Sequence, residues 1–468
     1  MSLPPEILED IAFWLATEDT SIAPPKNLIP LLLLNRETNR FLSSNSNHYL
    51  YARIYAAKFD TKTSTRRLGK GRLTAFGLTA ELKKRCMHLR AIRNFSFELE
   101  LIEPAIWTAF VMMLENDGKN ERLLLEYAHI THWLKHYWIA ISSALEREGW
   151  PSNSLLHSAC MWLLCNFYPE GDYGRETLKI LVNAMKLFSV GAHHYPICHL
   201  PWTDYTPQGR AASPPSQEVT LYGERVNLTP LPIAIPATIA YLGIAESLDN
   251  KSQLSPIENN LGDTEWNRVF GLVDNNLAKV HTIGSLEGVW EGAFTYTDFT
   301  VYDALLRGTS SNLVVHTPFA RHRQAFKARE YVVFESPKLP IGDTLHAFLP
   351  RRPTINKTPS GIEIEGVEYL AAADLTEEQK EREAVQDVVI LGEGHSSWGQ
   401  FRILGRVRPY DGLVSFLKDY MADDRGMWLY RGYLIGDADG TVVGRWRDTF
   451  SPPDFLGYEG SFMMTRRQ

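Results

Sequence analysis

The side chains able to do chemistry in this sequence fall into small groups, and none closes into a catalytic constellation. His129, His132 and His136 recur at i, i+3 and i+7, the spacing of one helical face. His132 and His136 have the i, i+4 spacing of zinc ligands. The metalloprotease pattern, however, places Glu directly after its first His, and Trp133 stands there. Core or surface histidines are the better reading. "HHYPICH" offers His193, His194, Cys198 and His199, but no second Cys/His pair at finger spacing follows. "GEGHSSWG" holds Gly392, Gly394, His395 and Gly399 between two strand-like runs. Phosphate cradles use a helix N-terminus, so a β-turn fits better. Asp437 and Asp439 in "DADG" resemble the start of a calcium loop without its later ligands or its bidentate Glu; a hairpin turn is favoured. The sequence contains no G-x-S-x-G, P-loop, kinase signature or H-x-E…C-x-x-C. The expectation is a protein that is not an enzyme and uses no metal or cofactor.

Bulk properties bound the rest. A chain of 468 residues, 44% hydrophobic and 22% charged, has the length of two or three packed domains. A net charge of −7 argues against a general nucleic-acid partner. Basic residues do crowd Lys58 to Arg93, with Lys62, Arg66, Arg67, Lys70, Arg72, Lys83, Lys84, Arg85 and Arg90 between them. That run reads as a solvated linker and helix face rather than a phosphate site. Cys86, Cys160, Cys165 and Cys198 are scattered, the usage of reduced thiols in the cytoplasm or nucleus. No basic stretch leads into a long apolar run at the start, so no signal peptide is expected. "LIPLLLL" is too short to span a bilayer, and no membrane partner is expected.

Hydrophobic spacing then orders the elements. In "LPPEILEDIAFWL", Ile7, Leu8, Ile11, Trp14 and Leu15 recur at helical spacing, and the two prolines suit a helix start. Pro24 and Pro25 break the pattern; Leu28 to Leu42 and "HYLYARIYAAKF" resume it. Residues 95–200 read as helices, with "ERLLLEYAHITHWLKHYWIAISSALEREG" one helix stopped by Gly149 and Pro151. No repeat period is visible, so this is an irregular helical array. Residues 201–235, rich in Pro, Ser and Gly, read as loop, followed by a short helical pair around 236–250 and 263–281. At Leu286 the texture changes to alternating strands with Gly/Asp turns. About eight strands joined by tight turns predict an antiparallel barrel, since closure removes free edges. Residues 371–385 read as a polar, acidic insertion. The expected fold class is multidomain α+β: helices over 1–60, an irregular helical middle over 61–284 and a barrel over 285–468. The barrel region is expected to fold alone.

"LPPEILEDIAFWL" resembles the first helix of an F-box, which starts Leu-Pro-x-Glu-Ile/Leu-Leu. Leu3, Pro4, Glu6, Ile7, Leu8, Ile11 and Leu15 fall on that pattern, and Leu31, Leu33, Leu34, Phe41 and Leu42 suit the later helices. Where the family often has Cys-Lys-x-Trp, this chain has Asn35, Arg36, Glu37 and Thr38, and the segment from Ala16 to Asn27 is long. The resemblance covers about a tenth of the chain. It implies docking on the Skp-type adaptor of a cullin–RING (SCF-type) ubiquitin ligase through Leu3, Pro4, Ile7, Leu8, Ile11, Leu31 and Leu34. The rest of the chain would then recruit an unknown protein substrate. Gly288-Val289-Trp290 resembles the Gly-x-Trp of the first strand of calycin or lipocalin-like barrels, where a basic residue of the last strand, here Arg466 or Arg467, packs over the Trp. "GEGHSSWGQFRILGRV" looks like a stretch that follows F-boxes in some plant and fungal proteins with such barrels. Small barrels are filled by side chains or hold one ligand; Trp290, Phe294, Tyr296, Phe401, Trp428, Tyr430 and Trp446 are the candidate lining. The expected function is a ubiquitin-ligase substrate receptor. The alternative is a small-ligand carrier or sensor built on the barrel.

Overall fold

The computed structural model describes residues 4–17, 24–168, 175–206, 214–250, 262–274, 280–308, 311–317, 319–335, 338–382, 385–422, 425–436 and 440–467. Contacts divide the chain into two compact units. The first comprises residues 1–137, 167–171 and 217–228; the second comprises 138–166, 172–216 and 229–468. The expected boundaries near 60 and 284 are therefore not where the contacts divide the chain. The segment before the barrel joins the barrel's own unit, and a hairpin from the supposed loop joins the first.

The first unit is built from α1 (Pro5–Thr17), α2 (Leu28–Leu32), α3 (Arg36–Leu42), α4 (His48–Lys58), α5 (Lys62–Leu68), α6 (Ala75–Arg93), α7 (Leu99–Leu114), α8 (Lys119–Arg122), the start of α9 (Ile130–Glu148), and the hairpin β1 (Gln217–Leu221) and β2 (Glu224–Leu228). Side-chain caps set several helix starts. Asn35 accepts from the Thr38 N–H at 2.8 Å, Asn47 from Leu50 at 3.0 Å and Thr74 from Gly77 at 3.1 Å. The Asn35–Thr38 segment that departs from the F-box pattern is thus a helix N-terminus here. The long helix expected over 121–149 is broken. A π-turn spans Leu123–Tyr127, and His129 takes a left-handed φ of 53° before α9 begins. His129 therefore does not share the face of His132 and His136.

The hairpin corrects the loop reading of 201–235. Its turn is Tyr222-Gly223, both at positive φ (52° and 88°), as a two-residue primed turn requires. Tyr222 inserts its ring beside Arg85, whose guanidinium lies between Glu81 (2.9 Å) and Glu115. The Tyr222 hydroxyl reaches Glu115, Ser64 and Tyr55. A Cβ on Gly77 would stand 2.5 Å from the Tyr222 carbonyl oxygen, so only glycine lets α6 approach this turn. Arg85 is fully buried and does not belong to the solvated face expected of the basic run.

The second unit holds the rest of α9, α10 (Leu155–Phe167), α11 (Arg175–Val190), α12 (Ala234–Asn250), α13 (Asp263–Asp274), α14 (Phe299–Leu306), α15 (Ser311–His316) and α16 (Glu377–Arg382). Its sheet runs β3 (Gly288–Tyr296), β4 (Ala320–Val333), β5 (Ile355–Lys357), β6 (Gly361–Ile364), β7 (Val367–Ala371), β8 (Asp387–Ser396), β9 (Gly399–Val407), β10 (Val414–Tyr420), β11 (Met427–Ile435), β12 (Thr441–Asp448) and β13 (Glu459–Arg466). Strands β3, β4 and β8 to β13 pair antiparallel in chain order, and β13 pairs back onto β3. This is a closed eight-stranded antiparallel barrel, with β5 to β7 hung from the end of β4. The β8–β9 hairpin turns at Ser397-Trp398, as read for "GEGHSSWG". Asp437 and Asp439 lie outside the described residues, but the register Ile435↔Thr441 joins the strands on either side. The acidic insertion contains α16.

Period-two alternation sends one set of side chains inward. Trp290, Phe294, Phe326, Phe401, Phe416, Tyr430, Trp446 and Phe462 form one buried cluster there. The outward set on β9, β11 and β12 is not solvated. Arg406 forms a two-point pair with Asp387 (2.8 and 2.7 Å). Arg408 pairs with Asp411 and donates to the carbonyls of Pro201 and Asp204. Arg431 lies 3.8 Å above the Trp202 ring. Arg445 donates to the carbonyl of Tyr195 and to those of Phe188 and Ser189 at the end of α11, where a cation also complements the helix dipole.

Candidate functional site

Two places carry the candidate site residues, one in each unit. On α1 the face formed by Ala12 and Ala16 is buried, with Leu8 half-buried beside it. The opposite face carries Ile7, Ile11 and Trp14, spaced i, i+4, i+7 and exposed by 48%, 37% and 61%. On and after α2, Ile29, Leu33 and Leu34 are exposed while Leu28 and Leu31 are buried. Leu34 and Leu31 line an open depression with Leu15, Asn27 and Pro30. Among the residues expected to meet an adaptor, Pro4, Ile7, Ile11 and Leu34 are thus exposed, Leu8 is half-buried and Leu31 is core. Leu3 lies outside the described residues.

In the barrel, five of the seven expected lining residues point inward and are buried: Trp290, Phe294, Phe401, Tyr430 and Trp446. Tyr296 and Trp428 are half-buried near one end, where their rings approach Tyr458 at 6.0 and 6.3 Å. At the other end Trp290 is fully buried and donates from Nε1 to the Leu286 carbonyl at 3.0 Å. Arg466, its cross-strand neighbour, places Cζ 5.1 Å from the Trp290 ring centroid, within cation–π range. This is the cover expected for Trp290. Arg466 is held in turn by the Ser285 carbonyl.

A residue passed over in the sequence lies between these ends. Along β10, Val414, Phe416 and Tyr420 join the inner cluster, and the alternation places Lys418 among them. Lys418 is 1% exposed. Its Nζ stands 4.3 Å from the Phe401 ring centroid, 4.6 Å from Phe294, 4.9 Å from Tyr420 and 5.6 Å from Tyr430. It donates one hydrogen bond, 2.7 Å, to Oε1 of Gln324. Gln324 is itself buried on β4, donating from Nε2 to Met464 Sδ and accepting from the Tyr430 hydroxyl at 3.4 Å. Among the described residues no carboxylate pairs with Lys418. The rings favour an ammonium by about 2 kcal/mol, while withdrawing a cation from water costs several. Burial accordingly pulls the Lys418 amine down to about 7. The signal was present in "VSFLKDY": strict alternation puts a lysine on the apolar side.

The histidine groups come together as aromatic contacts on exposed or half-buried faces. His132 and His136 meet edge to face at 4.5 Å beside Phe95. His193 and His194 lie 4.3 Å apart, both against Trp150; burial, helped by His194 and Arg445, lowers His193 to about 4. His199 bonds the Pro230 carbonyl at 2.8 Å. Among the described residues no group of three His, Cys, Asp or Glu side chains has metal-holding geometry, and no helix is long and apolar enough to cross a membrane.

No family model matches the chain, and no curated protein and no solved structure matches it.

Proposed function

We propose that this chain is a substrate-receptor subunit of a cullin–RING ubiquitin ligase, docking a Skp-type adaptor through α1 to α3. The observation that carries the reading is the outward apolar face of Ile7, Ile11 and Trp14 together with Leu33 and Leu34. Large side chains at helical spacing normally face a core. Here the small Ala12 and Ala16 take the core side and the large residues are left outside, an arrangement that a partner surface would repair. The F-box resemblance of "LPPEILEDIAFWL" names the kind of partner. The remaining unit, barrel included, would hold the protein substrate.

The experiment is capture of the full chain on immobilised recombinant adaptor. The expected result is retention of the unmutated chain and loss of retention by Ile7→Asp with Leu34→Asp, both exposed positions whose change leaves the fold intact. If the unmutated chain passes through while a known F-box protein is held on the same resin, the reading fails.

A further inference from the structure

The first unit holds an open groove between α6, α7 and the outer edge of β1, with a volume of about 400 Å³, within the range of ligand sites. The two-stranded sheet ends at β1, so one edge of that strand is unpaired. The two-residue turn makes Leu221↔Glu224 a hydrogen-bonded pair, and Val219↔Val226 and Gln217↔Leu228 follow at every second position. The N–H and C=O groups of Glu218 and Thr220 therefore point away from β2, toward the groove these residues line. Their carbonyls are covered from within the chain: Lys84 Nζ donates to that of Thr220, and the Gln217 side chain donates to that of Glu218 at 3.1 Å. At the turn, the Tyr222 N–H donates to Glu81 at 3.1 Å. Among the described residues the N–H groups of Glu218 and Thr220 have no acceptor. Trp107, 2% exposed and part of the groove lining, also has an indole N–H without one.

The α7 wall is acidic. Leu99, Glu103 and Trp107 recur at i, i+4 and i+8, and Glu100, Pro104 and Thr108 follow one position on, which sets them all on one helical face. The ionisable lining of the groove is four carboxylates (Glu81, Glu100, Glu103 and Glu218), one ammonium (Lys84) and one imidazole (His88). Glu81 pairs with Lys84 at 2.7 Å, and Glu218 meets Arg225 at 3.7 Å. Burial lowers His88 to about 4, so it is neutral near pH 7. Among the described residues Glu100 and Glu103 have no ion pair. Pro104 has no N–H, so the Glu100 carbonyl lacks its i+4 donor. One side of the groove thus offers a row of unmatched donors, and the other offers negative charge and an unmatched acceptor.

We propose that this groove docks an extended, basic segment of a partner protein, which adds as a third strand beside β1 and sets a Lys or Arg side chain against Glu100 and Glu103. In strand addition, main-chain hydrogen bonds supply affinity and alternate side chains supply specificity. The incoming carbonyls accept from the Glu218 and Thr220 N–H groups. The incoming cation meets the two carboxylates and the Glu100 carbonyl, and its apolar neighbours meet the exposed Leu99 and Pro104. An acidic segment is repelled by the same wall. The groove uses no residue of α1 or α2, and this inference does not rest on the adaptor reading.

The test is a phage-display selection of random heptapeptides on the full chain, after depletion of the library on the Glu100→Lys, Glu103→Lys double variant. Both positions are on the helix surface, and thermal melts should show the variant folded. The peptides that remain are expected to carry Lys or Arg at a fixed position, and by fluorescence anisotropy the double variant should bind them at least about tenfold more weakly. Thr220→Pro removes an edge N–H that the β1–β2 ladder does not use, a place where proline is tolerated; it should weaken binding roughly tenfold with the melt unchanged. Should Thr220→Pro lower the melt, N-methylation of the peptide backbone blocks the same pairing without touching the protein. The proposal is overturned if no peptide survives depletion, if the survivors lack a basic residue, or if affinity is indifferent to Thr220→Pro and to N-methylation. Displacement of the peptide by argininamide at equal concentration would make the groove a small-cation site and also overturn it.

Discussion

On α1, Ile7, Ile11 and Trp14 face water; inside the barrel, Lys418 does not. The two units thus break the segregation of apolar from charged residues in opposite senses, and a third region, the arginine layer on the outside of the barrel, separates the cases. Arg406, Arg408 and Arg445 are as buried as Lys418, yet each is met by a carboxylate or by several backbone carbonyls. A buried charge with full partners is structural. One with a single neutral amide costs stability. The exposed apolar face on α1 is the complementary case, large side chains left in water.

The largest expected effect comes from cutting the arginine layer away from what satisfies it. The sequence predicts that residues 285–468 fold alone. In the structure Arg445 and Arg408 are satisfied by carbonyls of residues 188–204, and Arg431 stacks on Trp202. A fragment starting at 285 should therefore show no cooperative melt by circular dichroism, whereas one spanning 138–468 should. A sharp transition in the shorter fragment would mean these contacts are ornamental.

A single outer pair tests the same point more gently. Arg406→Met leaves Asp387 buried without its cation and should cost about 3–5 kcal/mol in urea unfolding. A loss below about 1 kcal/mol would place the pair in the class of surface ion pairs, against its full burial.

How much of this was legible beforehand follows from what local pattern encodes. Alternation and turn residues located the barrel strands, and Gly-x-Trp led to Trp290 and the basic side chain over it. The β1–β2 hairpin was hidden because "SQEVTLYGERVNL" sits among prolines and serines, and its defining feature, Tyr222 at positive φ, is unusual for an aromatic residue. The break at His129 was hidden for the same reason. The burial of the outer arginines comes from segments more than 200 positions away in sequence, and no local pattern carries that. Lys418 was legible from alternation alone. Leu8, Leu31 and Ile11 share an apolar pattern, and only packing separates the half-buried, the buried and the exposed.

Protonation separates the inside of the barrel from the outside. The folded state lowers Lys418 to about 7 from an unfolded value near 10.4, so between those values the unfolded chain binds more protons and stability rises with pH. Below about pH 7 the full penalty applies. Lys418→Met should accordingly stabilise by roughly 4–5 kcal/mol at pH 6, and the gain should fade toward pH 10. Asp411 acts in a different window. Burial pushes its carboxyl up, but Arg408, the Leu413 N–H and the Tyr433 hydroxyl hold it below its usual value. Its contribution is present above about pH 4 and lost as pH falls through the lowered value. Urea titrations of Lys418→Met across pH 3–10 should lose the upper slope and keep the acid one; a parallel displacement of the whole curve would contradict the assignment.

The smallest effect belongs to the first unit. If Ile7 and Leu34 are outward-facing in the free chain, Ile7→Asp with Leu34→Asp removes no core contact, and surface changes of this kind stay within about 0.5 kcal/mol. Leu31→Asp, one helical turn from Leu34 but buried, strands a carboxylate among apolar groups and should cost roughly 3 kcal/mol or more. The two variants should also divide by consequence. The exposed pair should abolish adaptor capture with an unchanged melt, while Leu31→Asp should lose capture only in proportion to the unit it unfolds. A melt lowered equally by both would show that the outward face of α1 is packed within the chain after all, and the missing partner would then be unnecessary.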